Sequence, residues 1–277
     1  MSSVKDSFSS HFLEWSMTND IRGEISPLSV KLFLAVRLKL YAKVDELVNQ
    51  HHANPNWIIK MGEHTTTCIF QAIVNEDPKM LKKLIEYKAD LDVLDNRDLS
   101  PIMVAAMKGN KELFDILLEA GSTIEDHTTT GRTLMMAIRG GNLDIFNELL
   151  HQGVEIDKPI IADTPDIVTC SCCKPSSRKR SLHLSPLLVC AIYDKMEMAR
   201  ILIEKGVRVN YSTYEVGSAL CQAIEHKNIE FAKLLLESGA SLYSFVTKKH
   251  KRHRAREMAL DLFDPDFTSL VIDYESY

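Results

Sequence analysis

The chain has 277 residues, 45% of them hydrophobic and 26% charged, with a formal net charge of −5 and only six cysteines. Cysteine is too sparse for a disulfide scaffold, no apolar run is long enough to span a bilayer, and the polar start Met-Ser-Ser-Val-Lys-Asp lacks a secretory signal. An intracellular protein is expected, in the cytoplasm or the nucleus, and its acidic balance argues against general binding of nucleic-acid backbone.

Residues 1–28 carry no periodic pattern and are read as an N-terminal extension. From residue 29 the chain becomes periodic: Leu32, Ala35, Val44, Leu47 and Val48 occupy places that recur downstream, so 29–56 reads as a degenerate first unit. An apolar pair then returns as Leu84-Ile85, Leu117-Leu118, Leu149-Leu150, Leu202-Ile203 and Leu235-Leu236, at steps of 33, 32, 53 and 33 residues. Twelve residues before each pair stands a small residue, Ala72, Ala105, Ala137, Cys190 or Ala223. Three residues after the last four pairs stands a glycine, Gly121, Gly153, Gly206 or Gly239, where a helix can end in a left-handed turn. Each period predicts a short helix, a tight turn, a longer helix and a stop. Such a unit cannot bury its apolar stripe alone and must stack on copies of itself. The full copies fall at about 62–94, 95–127, 128–157, 181–211 and 212–244.

The clearest copy runs Asp95-Asn96-Arg97-Asp98-Leu99-Ser100-Pro101-Ile102-Met103-Val104-Ala105-Ala106, then Gly109-Asn110 and Leu117-Leu118-Glu119-Ala120-Gly121. Ser100 to Ala106 match in type a Thr-Pro-Leu-His-x-Ala-Ala signature: Ser100 can cap the first helix, Pro101 fits its first turn, and Ala105 and Ala106 let neighbouring helices approach. On these residues the chain resembles the ankyrin-repeat family, over roughly 29–275. It departs from the pattern in lacking the signature His, in placing Cys68 and Ala219 where Pro is usual, and in a third copy, Gly131-Arg132-Thr133-Leu134-Met135-Met136-Ala137, one residue short. The start of that third helix is left open. The resemblance implies an all-α solenoid of stacked helix-turn-helix repeats with finger turns.

The 53-residue step marks an insertion of about twenty residues. Its three prolines and several serines make 157–181 a flexible loop, and Leu182, His183 and Leu184 are expected to be displaced by it. Cys170, Cys172 and Cys173, with His183 downstream, are weak candidates for zinc or for thiol modification. Adjacent Cys172 and Cys173 are hard to aim at one tetrahedral ion, so a flexible regulatory or plain loop is preferred and no metal or cofactor is expected. Ser181 follows Arg178-Lys179-Arg180 and has the form of a basic-directed phosphorylation site. A second basic run holds Lys248, Lys249, Lys251, Arg252, Arg254 and Arg256 within nine positions. Removing these six charges and the four of Lys174, Arg178, Lys179 and Arg180 from −5 leaves −15 elsewhere, and the basic runs on this acidic body read as a solvated, mobile loop and as the exposed approach to the cap helix. Beyond them, Ala255, Met258, Ala259, Leu262 and Phe263 mark one helical stripe, and Phe267, Leu270, Val271 and Tyr274 another. With Asp264-Pro265 as N-cap and first helical position, 255–275 reads as a terminal cap.

Catalytic signatures are absent: there is no Gly-x-Gly-x-x-Gly, phosphate loop, Gly-x-Ser-x-Gly or His-Glu-x-x-His. No enzymatic activity is expected. The resemblance implies that a protein partner is held by finger turns and first-helix ends, along a groove on the order of 50 Å long for units spaced 8–10 Å apart. Carried over by position, the fingers offer Glu63, His64, Thr66, Asn96, Arg97, Leu99, Thr129, Thr130, Arg132, Tyr214 and Glu215. The helix ends add Met107, Arg139, Tyr193 and Glu225. Exposed Leu99, Met107, Tyr193 and Tyr214 beside arginines would be the mixture found at binding hot spots. The expected function is a monomeric adaptor, scaffold or inhibitor. The alternatives are a regulatory protein whose Cys-rich loop at 170–183 is the site, and a nuclear protein that uses 248–256.

Overall fold

The computed structural model describes residues 27–61, 64–124, 131–162, 182–214, 216–248 and 251–275. Contacts group the chain into two units, residues 1–124 and 125–277.

In the first unit, helix α1 (Pro27–Arg37) is followed by α2 (Tyr41–Asn49), the strands β1 (Ile59–Met61) and β2 (His64–Thr66), and the helix pairs α3 (Cys68–Val74) with α4 (Pro78–Glu86) and α5 (Pro101–Lys108) with α6 (Lys111–Glu119). The first helices α1, α3 and α5 pack in sequence, each against its own second helix, and α4 packs on α6. This layering explains two kinds of burial. Helix α5, flanked by a first helix and backed by a second, buries Pro101 through Ala106 without a break. Helix α6 faces the core on one side only and buries the stripe Leu113, Phe114, Ile116 and Leu117.

Caps fix the helix starts. Asp77 accepts from the backbone N–H of Met80 (3.0 Å) and Asn110 from that of Leu113 (3.1 Å), each opening a second helix. Ser100 stands in N-cap geometry before α5, but its buried Oγ accepts no capping hydrogen bond. Pro101 at the first helical position and the packing around it fix that start instead. At the end of α6, Gly121 (φ +91) donates to the Leu118 carbonyl at 3.0 Å and Ser122 to that of Leu117 at 3.0 Å. At the matching place after α4 the left-handed residue is Lys88 (φ +60), which bears a Cβ.

The second unit comprises α7 (Arg132–Gly140), α8 (Leu143–His151), β3 (Ile160–Ala162), β4 (Leu182–Leu184), α9 (Pro186–Ile192), α10 (Met196–Glu204), β5 (Ser212–Thr213), β6 (Gly217–Ser218), α11 (Ala219–Glu225), α12 (Ile229–Glu237), β7 (Phe245–Lys248), β8 (Lys251–Arg254), α13 (Ala255–Leu260) and α14 (Pro265–Glu275). Its first helices α7, α9, α11 and α13 pack in sequence, and α14 closes over α12 and α13. The start of α7 is set by Gly131, whose φ of +78 absorbs the missing residue in a left-handed turn.

Among the described residues four two-stranded antiparallel fingers accompany the helices, β1–β2 in the first unit and three in the second. The insertion sits inside one of them. Ile160, Ile161 and Ala162 pair with Leu184, His183 and Leu182 in unbroken register, so the expected displacement of 182–184 does not occur. The paired strands take in Ile160 to Ala162, within the span read as a loop, and Leu184 is fully buried. A side-chain staple at the far end of the repeat keeps the stack in step across it. Asp157 accepts from the Arg208 backbone N–H (3.0 Å) and from its Nε (2.6 Å). The same device recurs without insertion, from Ser241 to Asn210 (2.8 Å) here and from Asp90 to Asn56 (2.7 Å) and Thr123 to Asp92 (3.1 Å) in the first unit.

The approach to the cap carries a paired finger, β7 with β8, from Phe245 with Arg254 to Lys248 with Lys251. One expectation near the C-terminal end needs correction. Phe263 is not on a helical stripe, because α13 ends at Leu260; it is 91% exposed at φ +52. The cap otherwise forms on Ala255, Ala259, Phe267, Leu270 and Val271, all buried. Asp264 accepts from the Asp266 N–H at 2.9 Å to start α14.

Candidate functional site

The finger at 95–99 is wound around one carboxylate. Asp95 Oδ1 accepts from the backbone N–H groups of Arg97 (2.8 Å) and Leu99 (3.0 Å), while Oδ2 accepts from Arg97 Nε (3.0 Å) and Nη2 (2.8 Å). Arg97 is thus engaged in holding its own turn. The Asp95 N–H also donates to the Leu99 carbonyl at 3.0 Å, and this closed turn directs Leu99 inward, where it is 4% exposed. Leu99, expected as a surface anchor, is a core residue. Asn96, between them, is exposed.

The first-helix ends are more open. Met107 is half-buried at the end of α5. Val74 occupies the matching place on α3 and is 57% exposed, a residue the sequence reading passed over although it lies one period of 33 before Met107. In the second unit, the Arg139 guanidinium lies 5.8 Å from the ring centroid of Tyr193, joining the ends of α7 and α9 in a cation–π contact. Glu225 follows at the end of α11, half-buried, and Arg132 is half-buried at the start of α7. Tyr214 is 57% exposed, and its carbonyl accepts from the Thr247 N–H of the next finger at 3.0 Å. Thr129, Thr130, Glu215 and Glu63 lie outside the described residues, as do Cys170, Cys172, Cys173 and Ser181.

Several ionisable groups of the first unit join one repeat to the next. Asp45 on α2 takes Lys83 Nζ (2.7 Å) and the Tyr87 hydroxyl (2.5 Å) from α4 and its end, and these donors hold its carboxyl below the usual carboxylate range. The Tyr41 hydroxyl donates to Asp77 at 2.7 Å, which raises its pKa, and Lys108 lowers that of Glu76 across the next interface. Cys68, Cys190 and Cys221 are buried free thiols within first helices. Burial pushes the Cys68 thiol up to about 12 and Cys190 up as well, so both act as small apolar groups. His183 is exposed on β4, with its carbonyl accepting from the Tyr211 hydroxyl at 3.3 Å. Among the described residues no cluster of His, Cys, Asp and Glu is arranged to hold a metal ion, and no helix is long and apolar enough to cross a membrane.

Comparison with known proteins decides the family. The family described as ankyrin repeats, in three copies, matches residues 69–160 and 163–245. The chain belongs to the ankyrin-repeat family. An ankyrin repeat protein of Acanthamoeba polyphaga mimivirus is 24% identical over 218 residues, 76% of this chain and 26% of the viral protein. A potassium channel of Arabidopsis thaliana is 22% identical over 175 residues, covering 63% of this ankyrin-repeat chain and 19% of the channel. The chain therefore spans about a quarter or less of the curated relatives it matches. Among solved structures, the human ASB11 ankyrin repeat domain superposes with a TM-score of 0.60 at 20% identity, covering 84% of this chain and 91% of that domain. The ankyrin repeat domain of Bcl-3 gives 0.55 at 20% identity, covering 86% and 95%. At such identity the likeness speaks for the fold. Ankyrin repeats are general protein-interaction modules.

Proposed function

We propose that the chain is a non-catalytic binding module, an adaptor, scaffold or inhibitor that holds a protein partner on its finger turns and first-helix ends. The observation that carries this reading is the stacked pair Arg139 and Tyr193 at the ends of successive first helices. An arginine and a tyrosine held together outside the core supply an apolar face and a charge with little freedom left to lose on binding. Glu225 extends the row in the second unit, with Arg132 and Tyr214 on neighbouring turns. Val74, Met107 and Asn96 are the counterparts in the first unit. Thr129, Thr130 and Glu215 belong to the same set by their place in the repeat.

The absence of catalysis in this reading rests on how the ionisable groups are used. Asp45, Lys83, Tyr87, Asp77 and Glu76 are engaged in joining repeats, and the described thiols are buried. The reading includes a monomer working in the cytoplasm or nucleus, and sizing of the purified chain tests the first part.

Affinity capture with the wild-type chain and with an Arg139→Glu, Tyr193→Ala variant tests the proposal. Partners are expected to be lost from the variant while its circular dichroism and melting temperature stay unchanged. Full retention of partners by a folded variant would remove the first-helix ends from the binding surface. Arg97→Glu is a poor probe, because it would set a carboxylate against Asp95 and open the turn.

A further inference from the structure

The six cations of 248–256 sit on a body whose remaining charge, without the two basic runs, is −15, and the fold gives four of the run's positions to one ordered finger. Cross-strand partners share a face of a two-stranded ribbon. Phe245 with Arg254 and Thr247 with Arg252 therefore line one face, while Val246, fully buried, and His253 line the other. Arg252 and Arg254 are exposed, and the Arg252 guanidinium lies 4.9 Å from the centroid of the Phe245 ring. That stacking holds the charge in place. Among the described residues no carboxylate forms an ion pair with either arginine, and the nearby Glu257 accepts from the Arg254 backbone N–H at 3.0 Å. The Thr247 N–H reaches the Tyr214 carbonyl at 3.0 Å, which ties this finger to the turn that carries exposed Tyr214.

We propose that the β7–β8 finger is a docking site for an acidic peptide segment of the protein partner, its carboxylates on Arg252 and Arg254 and an apolar side chain beside Tyr214. The inference rests on the protein-binding reading above and names the chemistry of the partner. Charge complementarity selects the occupant. A short acidic segment meets only the finger, whereas a nucleic acid extends over many phosphates and meets the acidic remainder of the chain. Paired guanidinium forks suit carboxylates. An edge strand rich in cations is also protected from pairing with another chain, and a purely protective role predicts no peptide binding at all.

The test uses the purified full chain and fluorescence anisotropy at about 0.15 M salt, where exposed charges more than about 8 Å apart are screened. The probe is a labelled synthetic peptide of glutamates around a central tryptophan. It is expected to bind, the same peptide with glutamine for glutamate is not, and Arg252→Glu, Arg254→Glu is expected to weaken binding roughly tenfold or more. The charge-retaining Arg252→Lys, Arg254→Lys variant is expected to keep most of the binding. Equal loss in both variants would show a structural effect and overturn the proposal. So would equal binding of the glutamine peptide, no binding of either peptide, or tighter binding of single-stranded oligouridine or of phosphatidylserine vesicles. The peptide reads the β7–β8 finger and the Tyr214 turn beside it, and capture by the Arg139→Glu, Tyr193→Ala variant reads the first-helix ends. A failure here is thereby distinguished from a failure of the wider reading.

Discussion

The fingers at 95–99 and 245–254 occupy equivalent places in the repeat and use their arginines in opposite ways. In the first, Arg97 closes on Asp95 two residues away, and the turn is complete in itself. In the second, Arg252 lies over Phe245 and Arg254 stands exposed, with no carboxylate paired to either among the described residues. An arginine's presence on a finger therefore does not make it available to a partner. What decides is whether a carboxylate falls within the same turn.

Substitutions can break this contrast. The largest effect is expected at Leu99, which the first finger turns into the core: Leu99→Ala should cost about 3 kcal/mol in denaturant unfolding, and a cost near zero would mean that the turn does not bury it. Asp95→Ala removes the acceptor of two backbone donors and one guanidinium, for a loss of about 2 kcal/mol. Arg252→Ala with Arg254→Ala should cost less than about 0.5 kcal/mol, since neither is engaged by a carboxylate. A loss as large as that of Asp95→Ala would place the second finger in the same class as the first.

Smaller effects sharpen the account of the stack. Lys88→Gly relieves a left-handed residue at the place where Gly121 stands in the next repeat, and it should stabilise the first unit by about 0.5 kcal/mol once the added freedom of the unfolded chain is counted. The least effect is at Asp45. Its lowered pKa means that its contribution is present above the ordinary carboxylate value, about 3.9, and is lost as pH falls through the lower folded value. Asp45→Asn should flatten this acid limb of the unfolding curve. The pair is more than a third exposed on the Asp45 side, so the change is only a few tenths of a kcal/mol.

The repeat was legible because its signals are local and recur: the apolar pair, the small residue twelve positions earlier and the glycine stop. The left-handed stop at Lys88 was not, since a left-handed residue with a side chain leaves no compositional mark. The capping role expected of Ser100 failed for a related reason, as Pro101 and packing already determine that helix start. Leu99 was misplaced because its position in the finger suggests exposure, while the Asp95 turn sets its direction. The pairing of β7 with β8 was hidden because the sequence around it lacks the Gly or Asn that announces a two-residue turn, and because its cations suggested only an exposed approach to the cap. Of the candidate site, the period gave the positions. Which of them carry free side chains depended on contacts within each turn.

Hydrogen exchange of the chain with and without a captured partner tests the central claim most directly. The account predicts slowed exchange at the ends of α7, α9 and α11 and in the β5–β6 and β7–β8 fingers, with the second helices α8, α10 and α12 unchanged. Protection confined to those second helices, or to 163–181, would contradict it.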